Sequence, residues 1–283
     1  MRRIALLGST SHIAKGIIAG LANDPNYSLY CFSRQTGFDS FNDEDYDVVV
    51  NCIGTRLLNK QNPFYTTWFT VTEEFDNLII NYLLQHSKDT IYINFSSGAV
   101  YGSLSGPATC SSHLNLNPNH LNLSDLHLIS KLNAEAKHRC FSSLNIIDIR
   151  LFGYFSRHIN LNEKYFMSEV INSCKTNTTL EVSPDSWVKD YTSPEDILRI
   201  VKYCEPMNLA VDVGSLLPAN KFGILDYFKD DYGLTYEIKD NVDKENGTGK
   251  RNYYCTLNVS PLPLFKPTHT SLETIKTEAA CLL

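Results

Sequence analysis

No apolar run in this chain approaches the roughly 20 residues that a membrane helix needs, so a membrane span is not expected. There is no excess of positive charge either. Lys and Arg number 25 against 31 Asp and Glu, for a net charge of -6 and a pI near 5.7. A nucleic-acid or anionic-membrane partner would need a basic face, and neither is expected. The chain also lacks any Cys-x-x-Cys pair. Its eight cysteines are scattered, and several sit in apolar runs, as Cys52 does after Val48-Val49-Val50-Asn51. Reduced core thiols in a cytoplasmic protein are expected, with no metal site. The apolar stretch after Met1-Arg2-Arg3 is too short for a signal peptide. Cys281 falls one place too late for prenylation.

What is present is an ordinary globular composition: 43% hydrophobic, 20% charged, 14 Gly and 11 Pro. At 283 residues the chain accommodates one large domain, or one domain with a smaller lobe. Residues 4–7 read as a short strand ending at Gly8, followed by small residues and a helical apolar period up to Leu21. Residues 27–32 and 46–53 read as the next strands, the latter continuous and β-branched as in a strand buried on both faces. Only about a dozen residues separate these two runs, so any elements between them are abbreviated. A helix over 71–84, a strand over 90–95, a long Ser/Asn/Pro-rich loop over 105–123, a helix from 127 and a strand over 145–151 follow. Alternation of this kind predicts an α/β doubly wound parallel sheet, Rossmann-like. Beyond about residue 155 the regularity weakens. Helices over about 163–174, 194–204 and 219–229 are expected, with short strands near 180–182, 210–212 and 236–238 and a charged surface loop over 240–250. The reading is a dinucleotide-binding domain over 1–155 and a smaller α+β substrate lobe over 156–283, with some later segments returning to the sheet.

A dinucleotide turn wants small residues where the chain bends, where backbone meets pyrophosphate and where helix packs on strand. Gly8, Ser11 and Ala14 occupy those places, and only the first is glycine. At the end of the second strand an acidic residue would bind the 2′-hydroxyl of NAD. Ser33 and Arg34 stand there instead, which suits a 2′-phosphate and favours NADPH, with NAD as the alternative. Asp39, shortly after, is placed to meet the adenine amino group. Further on, His127 and Lys131 lie one helical turn apart on one face, so an imidazole and an ammonium point at one target. Ser124 or Asp125 can cap that helix.

Several local matches, in order along most of the chain, then converge. They are the Gly8 turn; Asp47-Val48-Val49-Val50-Asn51-Cys52-Ile53-Gly54; Phe95-Ser96-Ser97-Gly98-Ala99-Val100-Tyr101-Gly102; Ser130-Lys131-Leu132 with Glu135; Arg150-Leu151-Phe152-Gly153-Tyr154-Phe155; Lys189-Asp190-Tyr191 with Asp196; and Val211-Asp212-Val213-Gly214-Ser215. In these the chain resembles the extended short-chain dehydrogenase/reductases, in the nucleotide-sugar epimerase, dehydratase and reductase group.

The resemblance implies residue roles. Ser97 falls on the serine or threonine that hydrogen-bonds the reacting oxygen, and Lys131 on the lysine that holds the nicotinamide ribose. His127 stands where the family has its proton-donating tyrosine. Two readings of it follow: the imidazole takes over acid/base work, or the fold binds ligand without turnover. His12, Ile13, Asn51, Cys52, Ile53 and Phe152 fall on cofactor-contacting positions. Lys189 and Arg251 fall on positions that bind the nucleotide diphosphate, with Gly98, Phe166 and Trp187 as further substrate contacts. Gly98-Ala99 replaces the acidic pair of the dehydratases, and Gly98 the cysteine of the double epimerases. What remains is simple hydride transfer. The resemblance thus implies an NADPH-dependent reductase of a nucleotide-activated 4-keto-6-deoxy sugar for surface polysaccharide. An NAD-dependent nucleotide-sugar 4-epimerase and a binding protein without turnover are the alternatives. The family also implies a homodimer through a helical bundle.

Overall fold

The computed structural model describes residues 1–54, 67–86, 88–114, 117–121, 125–240, 251–258, 262 and 265–283. The expected loop over 240–250 lies almost wholly outside them, as does Ser124. The first half of the chain runs β1 (Arg2–Leu7), α1 (His12–Leu21), β2 (Tyr27–Phe32), β3 (Val48–Asn51), α2 (Thr67–Gln85), β4 (Ile91–Ser97), α3 (Leu126–Cys140) and β5 (Asn145–Leu151). The second runs α4 (Phe166–Thr176), β6 (Leu180–Val182), β7 (Val188–Lys189), α5 (Pro194–Tyr203), β8 (Leu209–Val213), β9 (Ala219–Asn220), α6 (Lys221–Tyr232), β10 (Tyr236–Ile238), β11 (Tyr253–Tyr254) and α7 (Ser271–Ala279).

Six strands form one parallel sheet in the order β2-β1-β3-β4-β5-β8. Every residue of β3 and β4 is buried, because helices cover both faces of the sheet. Alternate side chains divide between two cores. Ile4, Leu6, Val48 and Val50 pack toward Ile17 of α1 and Ile197 and Val201 of α5. Ala5, Leu7 and Val49 pack on the other side with Ile79 and Leu83 of α2. Full burial of such an aliphatic side chain stabilises by about 1.5–3 kcal/mol, so a one-residue register slip in β3 is strongly disfavoured.

Between β2 and β3 the chain makes only a 3₁₀ turn, Asp39–Asp43. Its Phe41 packs against Phe32, Tyr46 and Tyr82, and this aromatic cluster covers the end of the sheet where the connection is abbreviated. Chain order reverses between β1 and β3, which opens a crevice at the carboxyl ends of the strands. Gly8, Cys52, Gly98, Phe152 and Gly214 all follow directly on that edge.

The smaller core is built by α4, α6 and α7 around Phe155, Met167, Val170, Ile224, Phe228 and Ile275. Two short pairings join it: β6 with β10, and β7 between β11 and β9. Buried Asp190 secures it to the sheet. Its carboxylate accepts from Ser215 N (3.0 Å), Ser215 Oγ (2.6 Å) and Thr256 N (2.9 Å). Three expectations are corrected. The third strand begins at Val48, where pairing with Ile4 of β1 begins. Asp125 does not cap α3 with its side chain, because it already has helical backbone angles (φ -84°, ψ -12°). Helix α7, not foreseen, is started by a capping box of Thr270 and Glu273. Among the described residues no helix is long and apolar enough to cross a membrane.

Candidate active-site cleft

Gly8 sits at φ +76°, and a Cβ there would lie 2.9 Å from the backbone of Cys52 and Ile53. Glycine is therefore required, both for the turn and for the contact between the ends of β1 and β3. Ser11 caps α1, its Oγ accepting from Ala14 N (3.3 Å). The first amides of α1, on His12 and Ile13, have no intrahelical acceptor, and no acidic residue stands in the first turn. A helix start of this composition suits a pyrophosphate. Burial holds the His12 imidazole at about 4, hence neutral, with Nε2 2.7 Å from Ser156 Oγ.

Around the turn, the side chain of Asn51 is committed to the protein. Its Oδ1 accepts from Ile53 N (3.0 Å) and its Nδ2 donates to Tyr92 Oη (3.1 Å). Cys52 is buried, and burial pushes its thiol well above the ordinary range. After β2, the Ser33 Oγ accepts from the amides of Gln35 and Thr36 and closes a tight turn. That turn leaves Arg34 exposed at its tip, with Asp39 exposed just beyond. Arg34, not Ser33, is the side chain that this turn presents to solvent.

Ser97 ends β4, buried, its Oγ accepting from Ala99 N (3.1 Å) and lying 2.7 Å from Tyr254 Oη. Gly98 follows because a Cβ there would overlap the Phe152 ring. Phe152 is itself buried and packs on Tyr254 with ring centroids 5.5 Å apart. From α3, buried Lys131 donates to Phe95 O (2.7 Å), and burial lowers its pKa. His127, half-buried on the same face of α3, is pushed down to about 4 by burial and then by the charges of Lys131 and Arg251.

Two turns further along the same buried face of α3 lies a polar network. His138, fully enclosed, places Nδ1 2.9 Å from both Asp148 oxygens and Nε2 2.6 Å from Asp76 Oδ1. Burial opposes charge on this ring, but the two carboxylates outweigh it and hold the pKa at about 9, so the ring is an imidazolium. Tyr92 donates to Asp76 Oδ1 (3.0 Å) and receives from Asn51, which connects the network to the loop at Ile53.

Lys189 is lowered to about 8 by burial and then by Arg251 and Lys221. Its Nζ lies 4.5 Å from the Trp187 ring, whose edge meets Phe166 at 4.9 Å. The four expected substrate residues Phe166, Trp187, Lys189 and Arg251 thus lie in one neighbourhood, and Arg251 also acts on His127. Two members were not found from the sequence. Lys221 begins α6, where the helix dipole disfavours a cation, and that mismatch was the available signal. Its Nζ donates to Ser183 Oγ (3.2 Å) and Asp185 O (3.1 Å). Tyr254 had no local signal.

Fold and site together define a Rossmann-like α/β protein with a cationic cleft at the carboxyl edge of its sheet. No protein-family model and no curated protein sequence matches the chain. Solved structures do match in fold. The UDP-glucuronic acid 4-epimerase of Bacillus cereus with UDP-glucuronic acid and NAD gives a TM-score of 0.77 at 14% identity, covering 99% of this chain and 98% of that one. RMD of Pseudomonas aeruginosa complexed with NADPH gives 0.75 at 16%, covering 99% of each chain. The UDP-glucose 4-epimerase of Thermotoga maritima with UDP-glucose gives 0.78 at 11%, covering 99% and 98%. The fold expected from the sequence is the fold of these structures.

Proposed function

We propose that the chain is an NADPH-dependent reductase of a nucleotide-activated 4-keto-6-deoxy sugar, acting in the cytoplasm in the making of surface polysaccharide. One observation carries this reading. Arg251 lies 5.6 Å from the ring of Tyr254, whose hydroxyl is 2.7 Å from Ser97 Oγ, so a cation suited to a diphosphate stands close to the expected reaction centre, and its charge also reaches His127 and Lys189. The nicotinamide, when bound, supplies the hydride. The chain's own residues do the rest. The α1 amides hold the pyrophosphate and Arg34 the 2′-phosphate, while Lys131 fixes the ribose. Lys189 and Arg251 hold the substrate diphosphate, with buried Lys221 adding positive charge behind Lys189 and the Trp187 and Phe166 rings beside it. Ser97 hydrogen-bonds the keto oxygen. Dehydration is disfavoured because Gly98 and Ala99 supply no acid/base pair after Ser97. Arg34 favours net reduction, since a redox-neutral epimerase retains NAD.

A nucleotide-sugar 4-epimerase is the second reading, favoured by the NAD held by the B. cereus structure of the same fold. One experiment separates them. Purified protein is mixed with NADPH and a nucleotide-linked 4-keto-6-deoxy sugar, and reduced-nicotinamide absorbance is followed. Stoichiometric loss supports the reductase. Epimer formation by protein that carries its own NAD and consumes none supports the alternative. If calorimetry detects neither dinucleotide nor nucleotide-sugar binding, both are wrong.

A further inference from the structure

The expected place of the proton donor is filled by a group poorly suited to donate. At pH 7 an imidazole held at about 4 carries its second proton in about one molecule in a thousand. A ketone that accepts hydride still needs a proton on its oxygen. Resting on the reductase reading, we propose that this proton is held by Tyr254 and delivered through the Ser97 hydroxyl.

The geometry is direct. Tyr254 Oη lies 2.7 Å from Ser97 Oγ, and both groups are buried. The phenol is brought there from a segment 157 residues away, by the pairing of β11 with β7. Its ring is fixed on Phe152, whose own position depends on the missing Cβ at Gly98. Burial raises the Tyr254 pKa, so the group is protonated at neutral pH. The surrounding charges are suited to what is left after donation. Arg251 places its guanidinium 5.6 Å from the Tyr254 ring centroid, and it donates to Gly102 O (3.2 Å). Beyond Phe152 the charges are already matched: Tyr101 donates to Asp212 and accepts from Arg150. On the Thr256 side, the Asp212 and Asp190 carboxylates are both hydrogen-bonded. From α3, His127 is neutral.

The step balances. Hydride forms the new C–H bond as the carbonyl π pair moves onto oxygen. That oxygen takes the Ser97 hydroxyl proton, and Ser97 Oγ takes the Tyr254 proton as the phenolic O–H bond breaks. The tyrosinate beside Arg251 then takes a proton from water. The ketone is reduced to an alcohol and the nicotinamide cofactor is oxidised. Because Tyr254 acts through Ser97, it is a positioning residue and not a substrate contact.

A buried tyrosine also commonly satisfies its hydroxyl as part of packing, so the test must separate packing from proton supply. Tyr254→Phe keeps the ring and removes the proton. It is expected to lower kcat about 100-fold, with KM and thermal stability little changed and the alkaline limb of the kcat profile displaced. A second readout needs no turnover. With carbon-13 at the tyrosine Cζ, the resonance absent in Tyr254→Phe identifies Tyr254, and Ser97→Ala is expected to raise its titration. If wild-type protein reduces the keto sugar and Tyr254→Phe does so at the same rate with the same pH profile, the proton assignment is overturned while the reductase reading stands. If wild-type protein reduces no keto sugar, both fall together.

Discussion

Raising the pH should strip the charge from His138 and, with it, a measurable share of the fold's stability. The ring is enclosed between Asp76 and Asp148, and its pKa is raised from 6.5 to about 9. A group whose folded pKa is raised contributes fully below its unfolded value and loses that contribution as pH climbs through the folded one. Each unit is worth about 1.4 kcal/mol, so the window from 6.5 to 9 removes about 3 kcal/mol. Against a typical total of about 5–15 kcal/mol, that is a large fraction. Asp76 behaves oppositely: His138 and Lys137 outweigh its burial and lower its pKa, so its share is lost only in acid. The assay is urea unfolding of wild type and His138→Gln across the window, reading the difference between them so that other ionisations cancel. Removing one member of a buried ion pair costs about 3–5 kcal/mol. The variant should therefore be less stable by that amount below pH 6.5, and the gap should nearly close above pH 9. A gap that stays constant across the window would mean that His138 is neutral in the folded protein, and the reasoning would be wrong.

Other consequences are as open to measurement. Lys189, lowered to about 8, should lose its charge as pH rises past that value, so binding of a nucleoside diphosphate at the proposed site, measured by calorimetry, should weaken on the alkaline side. One charge-assisted contact is worth about 1.5–3 kcal/mol, or roughly 10- to 100-fold, and Lys189→Met should abolish the pH dependence. Gly8→Ala combines a left-handed backbone with a 2.9 Å clash against Cys52 and Ile53. It should cost at least about 1–3 kcal/mol in thermal unfolding and abolish dinucleotide binding in a calorimetric titration. Asp190→Ala strands the buried amides of Ser215 and Thr256. At about 1–3 kcal/mol for each group left unpaired, urea unfolding should show a loss of at least about 2 kcal/mol.

The central sheet was legible because strands covered on both faces are dominated by apolar residues. Residues 145–151 are bounded correctly for that reason, although Asp148 and Arg150 interrupt the run. The abbreviated connection before β3 was legible from chain length alone. Helix α7 was missed although its capping box at Thr270 and Glu273 stands in the sequence, because the apolar period after it is short. At the candidate site, Ser97, His127 and Lys131 stand out in the sequence through local motifs on β4 and α3. Tyr254 could not be, since no spacing rule relates positions 97 and 254. Their contact depends on two-residue strands, β7 and β11, whose pairing is decided by tertiary packing. Lys131 one helical turn away accounts for part of the depression of His127, but Arg251 and the extent of burial are not visible locally in the sequence.

Asp190 also bears on the order in which the molecule assembles. Its carboxylate is satisfied only when Ser215, 25 residues away, and Thr256, 66 residues away, arrive together. Contacts of such separation are made late in folding, after loop closure has been completed. The first five strands of the sheet end at Leu151 and need neither partner. Interactions absent from the transition state govern how fast a protein comes apart, not how fast it forms. The small lobe thus acts as a late clasp, and how quickly it comes away from the sheet is governed by the Asp190 carboxylate.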